Sequence, residues 1–324
     1  MRAVLCKAYG SIDDLVVEEV GSAPLEAGQV RLKVAACGVN FPDVLITQGK
    51  YQFKPEPPFS PGGEVAGTVV EVASDVTEFA VGDPVIATTT WGGFAEEIVT
   101  TPDRLLRRPQ TMDEVTAAGF AITYGTSYHA LVQRAAIQPG ETLLVLGASG
   151  GVGVAAIQIA KALGAKVIAA ASTAEKLAVA QAQGADEVVN YAEEGFRDRL
   201  KEITGGRGVD VVYDPVGGDL LQPSLRSMAW NGRYLVVGFA SGEIPQVPAN
   251  LTLLKGCAVV GVFWGQFRRN EPDVDAANFK ALFDLHAAGK IKPLVSETYP
   301  LEKARDALAA LSARSVTGKL VLKV

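Results

Sequence analysis

The chain has 324 residues, of which 48% are hydrophobic, enough for about two globular domains with sizeable cores and too apolar for a disordered chain. Its 30 basic and 36 acidic side chains give a net charge of −6, and no basic run exceeds Arg107-Arg108 or Arg268-Arg269, so nucleic acid is not an expected partner. Cys6, Cys37 and Cys257 lie far apart without CxxC spacing, which points to a reducing, cytoplasmic setting rather than a disulfide framework.

Lys7 cuts short the apolar start of the chain, so no signal peptide is expected, and no apolar run reaches the roughly 18 residues of a membrane span. Residues 1 to about 120 read as short strands broken by Gly, Pro and Asp. Alternating segments at 30–35 and 65–72, closed by Gly82-Asp83-Pro84, predict an irregular, mostly antiparallel domain. From about Thr126 the pattern changes to long helical periods between apolar strands, the βαβ grammar of a parallel sheet. Strands are expected at 142–146, 166–171, 187–190, 209–214, 234–237 and 258–263. Helices are expected at 152–163, 173–183 and 196–204, with another running up to Met228. Two amphipathic helices (276–289 and 301–312) and a strand (319–324) follow, and the segment from 264 onward is expected to pack back on the first domain.

The stretch Gly147-Ala148-Ser149-Gly150-Gly151-Val152-Gly153 joins the first apolar strand to the first helix of the second domain. Strand, glycine loop and helix in that order make a cradle for a dinucleotide. Glycines allow a tight turn and close approach to a pyrophosphate, and the free amides and dipole of the helix start favour negative charge. NAD selection uses an acid at the end of the second strand, where this chain instead reads Ala169-Ala170-Ala171-Ser172-Thr173. Ser172, Thr173 and Lys176 place hydroxyls and a cation where the 2′-phosphate of NADP would sit, so NADPH is the expected cofactor. Ser172-Thr173-Ala174-Glu175 also fits a capping box with Ser172 as the cap.

Zinc-dependent alcohol oxidation needs about three protein ligands, and two histidines with three scattered cysteines do not offer them. His129 lies on a helical period and His286 in the last turn of a helix, where an imidazole suits the dipole. No metal site is expected.

The order of a β-rich domain, a GxxGGVG nucleotide fold and a returning tail resembles the medium-chain dehydrogenase/reductase superfamily, in particular its zinc-independent quinone oxidoreductase branch. The resemblance spans essentially the whole chain. In Gly38-Val39-Asn40-Phe41-Pro42-Asp43, Asn40 stands where zinc-dependent relatives carry a Cys ligand; in Pro61-Gly62-Gly63-Glu64, Gly63 stands where they carry His. The four-cysteine structural-zinc loop is also absent. Further similar segments are Thr123-Tyr124-Gly125-Thr126, 205–218, Gly238-Phe239 and Gly318-Lys319. The resemblance implies an α/β protein with a GroES-like β-rich catalytic domain (1–122 and 264–324) and a Rossmann doubly wound parallel sheet (123–263). It also implies that Asn40 and Thr126 lie near the nicotinamide, that Gly150, Gly151 and Val152 hold the pyrophosphate, and that Ser172, Lys176 and Tyr191 hold the 2′-phosphate. Phe239 would lie near the nicotinamide ribose. Gly147, Ser149, Gly153, Gly238 and Lys319 complete the expected cofactor set.

Without a metal to stabilise an alkoxide, hydride transfer to a quinone or an α,β-unsaturated carbonyl is the expected chemistry, with Asn40 and Tyr51 as candidate hydrogen-bond donors to the developing oxyanion. Phe41, Phe53, Phe59, Trp91 and Trp264 are either core residues or the walls of a slot for a flat acceptor. Two alternatives stay open: an enoyl-thioester reductase that uses Arg268-Arg269 for an anionic arm, and a non-catalytic NADPH-binding or RNA-associated protein. The apolar run 258–263 at a sheet edge invites pairing with a second copy, so a homodimer is expected.

Overall fold

Two burial patterns divide the chain, which the computed structural model describes over residues 1–324. Residues 1–122 and 294–324 form one compact unit and residues 123–293 the other. The return to the first unit therefore falls at Leu294 rather than at 264. Residues 264–293 carry two helices whose apolar side chains Trp264, Phe267, Phe279 and Leu282 are buried, and they are built into the second unit.

In the first unit, β1 (Arg2–Leu5) pairs antiparallel with β2 (Val16–Glu19). The long β3 (Val30–Val39) alternates at first: Val30, Leu32 and Val34 are buried and Lys33 and Ala35 exposed. From Ala36 to Val39 every residue is buried, because the helix at 114–118 covers the second face there: a Cβ on Gly38 would lie 2.0 Å from the Ala118 carbonyl oxygen. After α1 (Phe41–Thr47) come β4 (Glu64–Val72), β5 (Pro84–Thr88), β6 (Glu97–Thr100), β7 (Leu105–Arg107) and the short α2 (Glu114–Ala118). β4 lies antiparallel to β3 with Glu64 opposite Gly38.

α3 (Ala121–His129) runs on into a π-helical turn, Ala130–Arg134. The second unit then alternates strand and helix: β8 (Thr142–Leu146), α4 (Gly151–Ala162), β9 (Lys166–Ala171), α5 (Ala174–Ala182), β10 (Glu187–Asn190), α6 (Phe196–Ile203), β11 (Val209–Asp214), α7 (Leu221–Arg226), β12 (Met228–Val236), α8 (Ala249–Lys255) and β13 (Ala258–Gly261). All pairings are parallel, in the spatial order β10-β9-β8-β11-β12-β13. This is the doubly wound dinucleotide order, with its switch point between β8 and β11. Leu143 to Leu146 are fully buried, as a central strand covered on both faces requires, and truncating one such leucine to alanine would cost about 3 kcal/mol. α9 (Trp264–Asn270) and α10 (Pro272–Ala287) complete the unit.

Back in the first unit, β14 (Val295–Pro300) pairs parallel with β15 (Lys319–Lys323), with α11 (Ala304–Ser312) between them. β15 lies antiparallel to β3, with Leu320 opposite Val39. These registers bring Asn40, Glu64 and Lys319 to one spot.

Candidate active site

In the second unit, the carboxyl ends of β8, β9, β11 and β12 form a cradle. Gly147 has φ +58°, and a Cβ there would lie 2.9 Å from Val216 Cγ2. Gly153 is more tightly constrained: a Cβ would sit 2.5 Å from the Gly147 carbonyl oxygen and 2.8 Å from Ala148 Cα. Glycine at both positions lets α4 start hard against the loop, which is the close packing that a pyrophosphate-binding turn needs. Gly150 caps α4 with extended geometry, so the amides of Gly151, Val152 and Gly153 form a first turn without intrahelical partners. Ser149 is buried within the loop.

At the end of β9, the Lys176 ammonium lies 3.4 Å from Ser172 Oγ. The cap of α5 is Thr173, which accepts from the Lys176 amide, so the expected box on Ser172 is displaced by one residue. Glu175 instead takes hydrogen bonds from its own amide and from the Thr173 side chain, which hold its carboxylate below the usual range. Ser172 is thereby left to face the same region as Lys176. Tyr191, just after β10, has its amide on the Ala171 carbonyl at 3.0 Å and its half-buried ring against the core of the unit. The strand order thus places Tyr191 beside the end of β9.

Two loops close the cradle at β11 and β12. Asp214 is buried and accepts from the amides of Val216 (2.8 Å) and Gly217 (2.9 Å) and from the Tyr234 hydroxyl (2.5 Å). Burial pushes its carboxyl up, and these three bonds oppose the shift. Gly238 and Phe239 lie on the facing loop, which is tied back by the Ala240 amide on Pro215 O at 3.0 Å. Phe239 remains partly exposed.

In the first unit, Asn40, Asp43, Glu64 and Lys319 are all buried. The Lys319 ammonium reaches three oxygens: Asn40 Oδ1 at 2.5 Å, Val39 O at 3.1 Å and Glu64 Oε2 at 3.1 Å. Asn40 Nδ2 donates to Glu64 Oε2 (3.2 Å) and Gly38 O (3.3 Å). Reversing that amide would aim its nitrogen at the ammonium and its oxygen at the carboxylate, so the charges fix its orientation. The Ile122 amide donates to Glu64 Oε1 at 2.9 Å. Asp43 accepts from the amides of Asn40 (2.7 Å) and Gly62 (3.2 Å), and burial pushes its carboxyl up to about 7. Tyr51 packs half-buried on the same core, its ring centroid 6.0 Å from that of Phe53. Burial, and then the neighbouring Asp43, raise its hydroxyl above the ordinary tyrosine value, so it stays a donor near neutral pH.

Residues 26–111 match the family model described as "Alcohol dehydrogenase GroES-like domain", and residues 151–280 match "Zinc-binding dehydrogenase". The quinone oxidoreductase-like protein 2 homolog of Nematostella vectensis is 42% identical over 99% of this chain and 88% of its own length. The human quinone oxidoreductase is 34% identical over 99% of this chain and 97% of its own. The chain belongs to the zinc-independent quinone oxidoreductase branch of the medium-chain dehydrogenase/reductase superfamily. Its fold agrees with that of the Escherichia coli quinone oxidoreductase crystallised with NADPH, at TM-score 0.93, 32% identity and full coverage of both chains.

Within this quinone oxidoreductase branch, several residues named from the sequence prove to be engaged elsewhere. Lys319, expected among the cofactor ligands, has three acceptors for its three protons in the first unit. Asn40 has both amide protons and its oxygen committed. Phe59 is core, while Trp91 is exposed. Trp264 is buried in the second unit with its indole against Gly125, where a Cβ would lie 2.7 Å from Cζ2. Arg268 is held by Asp275 at 2.9 Å and stacks over Trp264, so it is no exposed handle for an anionic arm. His129 stacks on Phe267 at 3.8 Å, and burial lowers its pKa. No group of three or more His, Cys, Asp or Glu side chains is arranged to hold a metal ion. No helix is long and apolar enough to cross a membrane. Sequence reasoning missed Asp43, Glu64 and Ser127 as site-building residues; the short Asn-x-x-Asp spacing of a capped helix was the one available signal, and it points to Asp43.

Proposed function

We propose that the protein oxidises NADPH and reduces a quinone or an α,β-unsaturated carbonyl. The observation that carries the cofactor assignment is the Lys176–Ser172 pair at the end of β9, a cation and a hydroxyl where an NAD-selecting fold keeps a carboxylate. The tight glycine loop fits a pyrophosphate for the steric reasons above, and two similar structures complexed with NADPH, the Escherichia coli quinone oxidoreductase and a mycobacterial protein, support the reading.

When bound, the dihydronicotinamide supplies the hydride. The first-turn amides of α4 would hold the pyrophosphate, Ser172, Lys176 and Tyr191 the 2′-phosphate, Thr126 the nicotinamide and Phe239 its ribose. Hydride addition to a quinone or enone carbon leaves charge on oxygen, which a preorganised donor stabilises. Tyr51 is that donor: its hydroxyl stays protonated, whereas the Asn40 amide is consumed internally. Asn40 then acts by shaping the loop.

A panel of NADPH oxidation assays with a simple quinone, an enone and an enoyl-CoA tests the reading. Turnover of quinone or enone, lowered in Tyr51→Phe, supports it. Preference for enoyl-CoA would assign thioester reduction, and tight NADPH binding without turnover of any acceptor would leave a binding protein. The exposed apolar side chains Trp230 on β12 and Leu253 and Leu254 on α8, together with the unpaired edge of β13, support a homodimer.

A further inference from the structure

Thr126, the residue assigned to the nicotinamide, is flanked by two side chains that bolt α3 to α4. On one side the Tyr124 hydroxyl donates to Gln158 Oε1 at 2.8 Å. On the other, Ser127 is fully buried, with its Oγ 3.0 Å from the Val152 carbonyl oxygen and 2.9 Å from the Tyr213 hydroxyl. A carbonyl oxygen only accepts, so Ser127 donates to Val152 and must accept from Tyr213. One serine hydroxyl therefore ties three parts of the cradle. These are the residue after Thr126, the second residue of the pyrophosphate helix, and β11 one residue before Asp214, whose carboxylate shapes the loop at 216–217. All three lie within the second unit.

A serine and a tyrosine facing each other in a core are not what packing alone selects. An Ala–Phe pair would fill the same space without two hydroxyls to desolvate. We propose that Ser127, supported by Tyr213, is a positioning residue: it sets Thr126 against the first turn of α4, so that the nicotinamide end of the cofactor is registered to its pyrophosphate. The inference rests on the NADPH reading above and concerns one end of the cofactor only, because Ser172, just after β9, and Lys176, on α5, lie outside this chain of bonds.

The test compares wild type, Ser127→Ala, Tyr213→Phe and the double variant. Ser127→Ala strands the Tyr213 hydroxyl and should lower the melting temperature. The double variant removes both polar groups and should recover most of that loss. Affinities are then read by titration with NADPH and with adenosine 2′,5′-bisphosphate, which carries the 2′-phosphate end without nicotinamide. In the double variant we expect NADPH affinity to fall about five-fold or more, the worth of one buried hydrogen bond, with adenosine 2′,5′-bisphosphate affinity unchanged. Wild-type NADPH affinity in the double variant would overturn the proposal, and so would an equal loss for both ligands, which marks general loosening. A wild-type protein that binds neither ligand would refute the cofactor reading itself.

Discussion

The Lys319 ammonium and the Asn40 side-chain oxygen, 279 residues apart in the chain, share a buried 2.5 Å hydrogen bond at the end of β3. With Glu64 on the other side, the arrangement is a three-residue knot in which each polar atom has a partner. Its lysine is 7% exposed and its glutamate fully buried, so neither charge has water to fall back on. Removing one partner should therefore cost far more than the pair is worth. Lys319→Met is expected to destabilise the protein by roughly 3–5 kcal/mol in chemical denaturation, and adding Glu64→Gln should recover a substantial part. Equal stability of Lys319→Met and wild type would show that the ammonium is not the knot's centre.

Asp43 links stability to pH. Its carboxyl ionises near 3.8 in an unfolded chain and at about 7 when folded, with burial as the main cause. The native state thus keeps a proton that the unfolded chain has released. The resulting stability is fully present below 3.8 and is lost as pH rises through about 7, a swing of at most roughly 4 kcal/mol. Unfolding free energies measured at several pH values between 4 and about 8.5 should fall toward the alkaline side, and Asp43→Asn should flatten that slope.

Cofactor choice is concentrated at Lys176. Lys176→Ala should weaken NADPH binding by about ten-fold or more, because a charge-assisted contact to phosphate is lost, and leave NADH affinity nearly unchanged. Fluorescence titration with both nucleotides measures this directly. A parallel loss for both would place the ammonium away from the 2′-phosphate.

The exposed face around α8 bears on assembly. Leu253 and Leu254 are 79% and 71% exposed, and Trp230, whose ring lies against Gly256 at the end of α8, is similarly bare. Sedimentation at micromolar concentration should give a dimer for wild type and a monomer for a variant with both Leu253→Asp and Leu254→Asp, which carries like charge into a shared apolar face. A monomeric wild type would contradict the dimer.

The parallel half of the fold was legible because periodicity and glycine punctuation agree there: the expected strands at 142–146, 166–171, 187–190 and 209–214 coincide with β8 to β11. β12 begins six residues earlier than expected, because Asn231-Gly232 reads as a turn. In the structure Asn231 has φ +62° and the strand continues past it to Val236. The shift from Ser172 to Thr173 as the cap of α5 was beyond sequence, since both hydroxyls satisfy the pattern and only backbone direction decides. The knot at Asn40 was invisible for a different reason. Its members come from β4, β15 and the residue after β3, and only the sheet register brings them together. Lys319 could be matched to a segment of the family but not to Glu64, and so its partner was missed.

Gly63, which by the family resemblance stands where zinc-dependent relatives carry a histidine, has little room for a side chain. A Cβ there would lie 3.0 Å from the Thr89 carbonyl oxygen, and any larger group would have to move that backbone. A cysteine placed at position 40 would face the Lys319 ammonium, which already occupies the Glu64 carboxylate that a cation would otherwise use. Single substitutions toward metal ligands at these two positions would therefore meet either a main-chain atom or a lysine ammonium, and several would have to be made together before any of them helped.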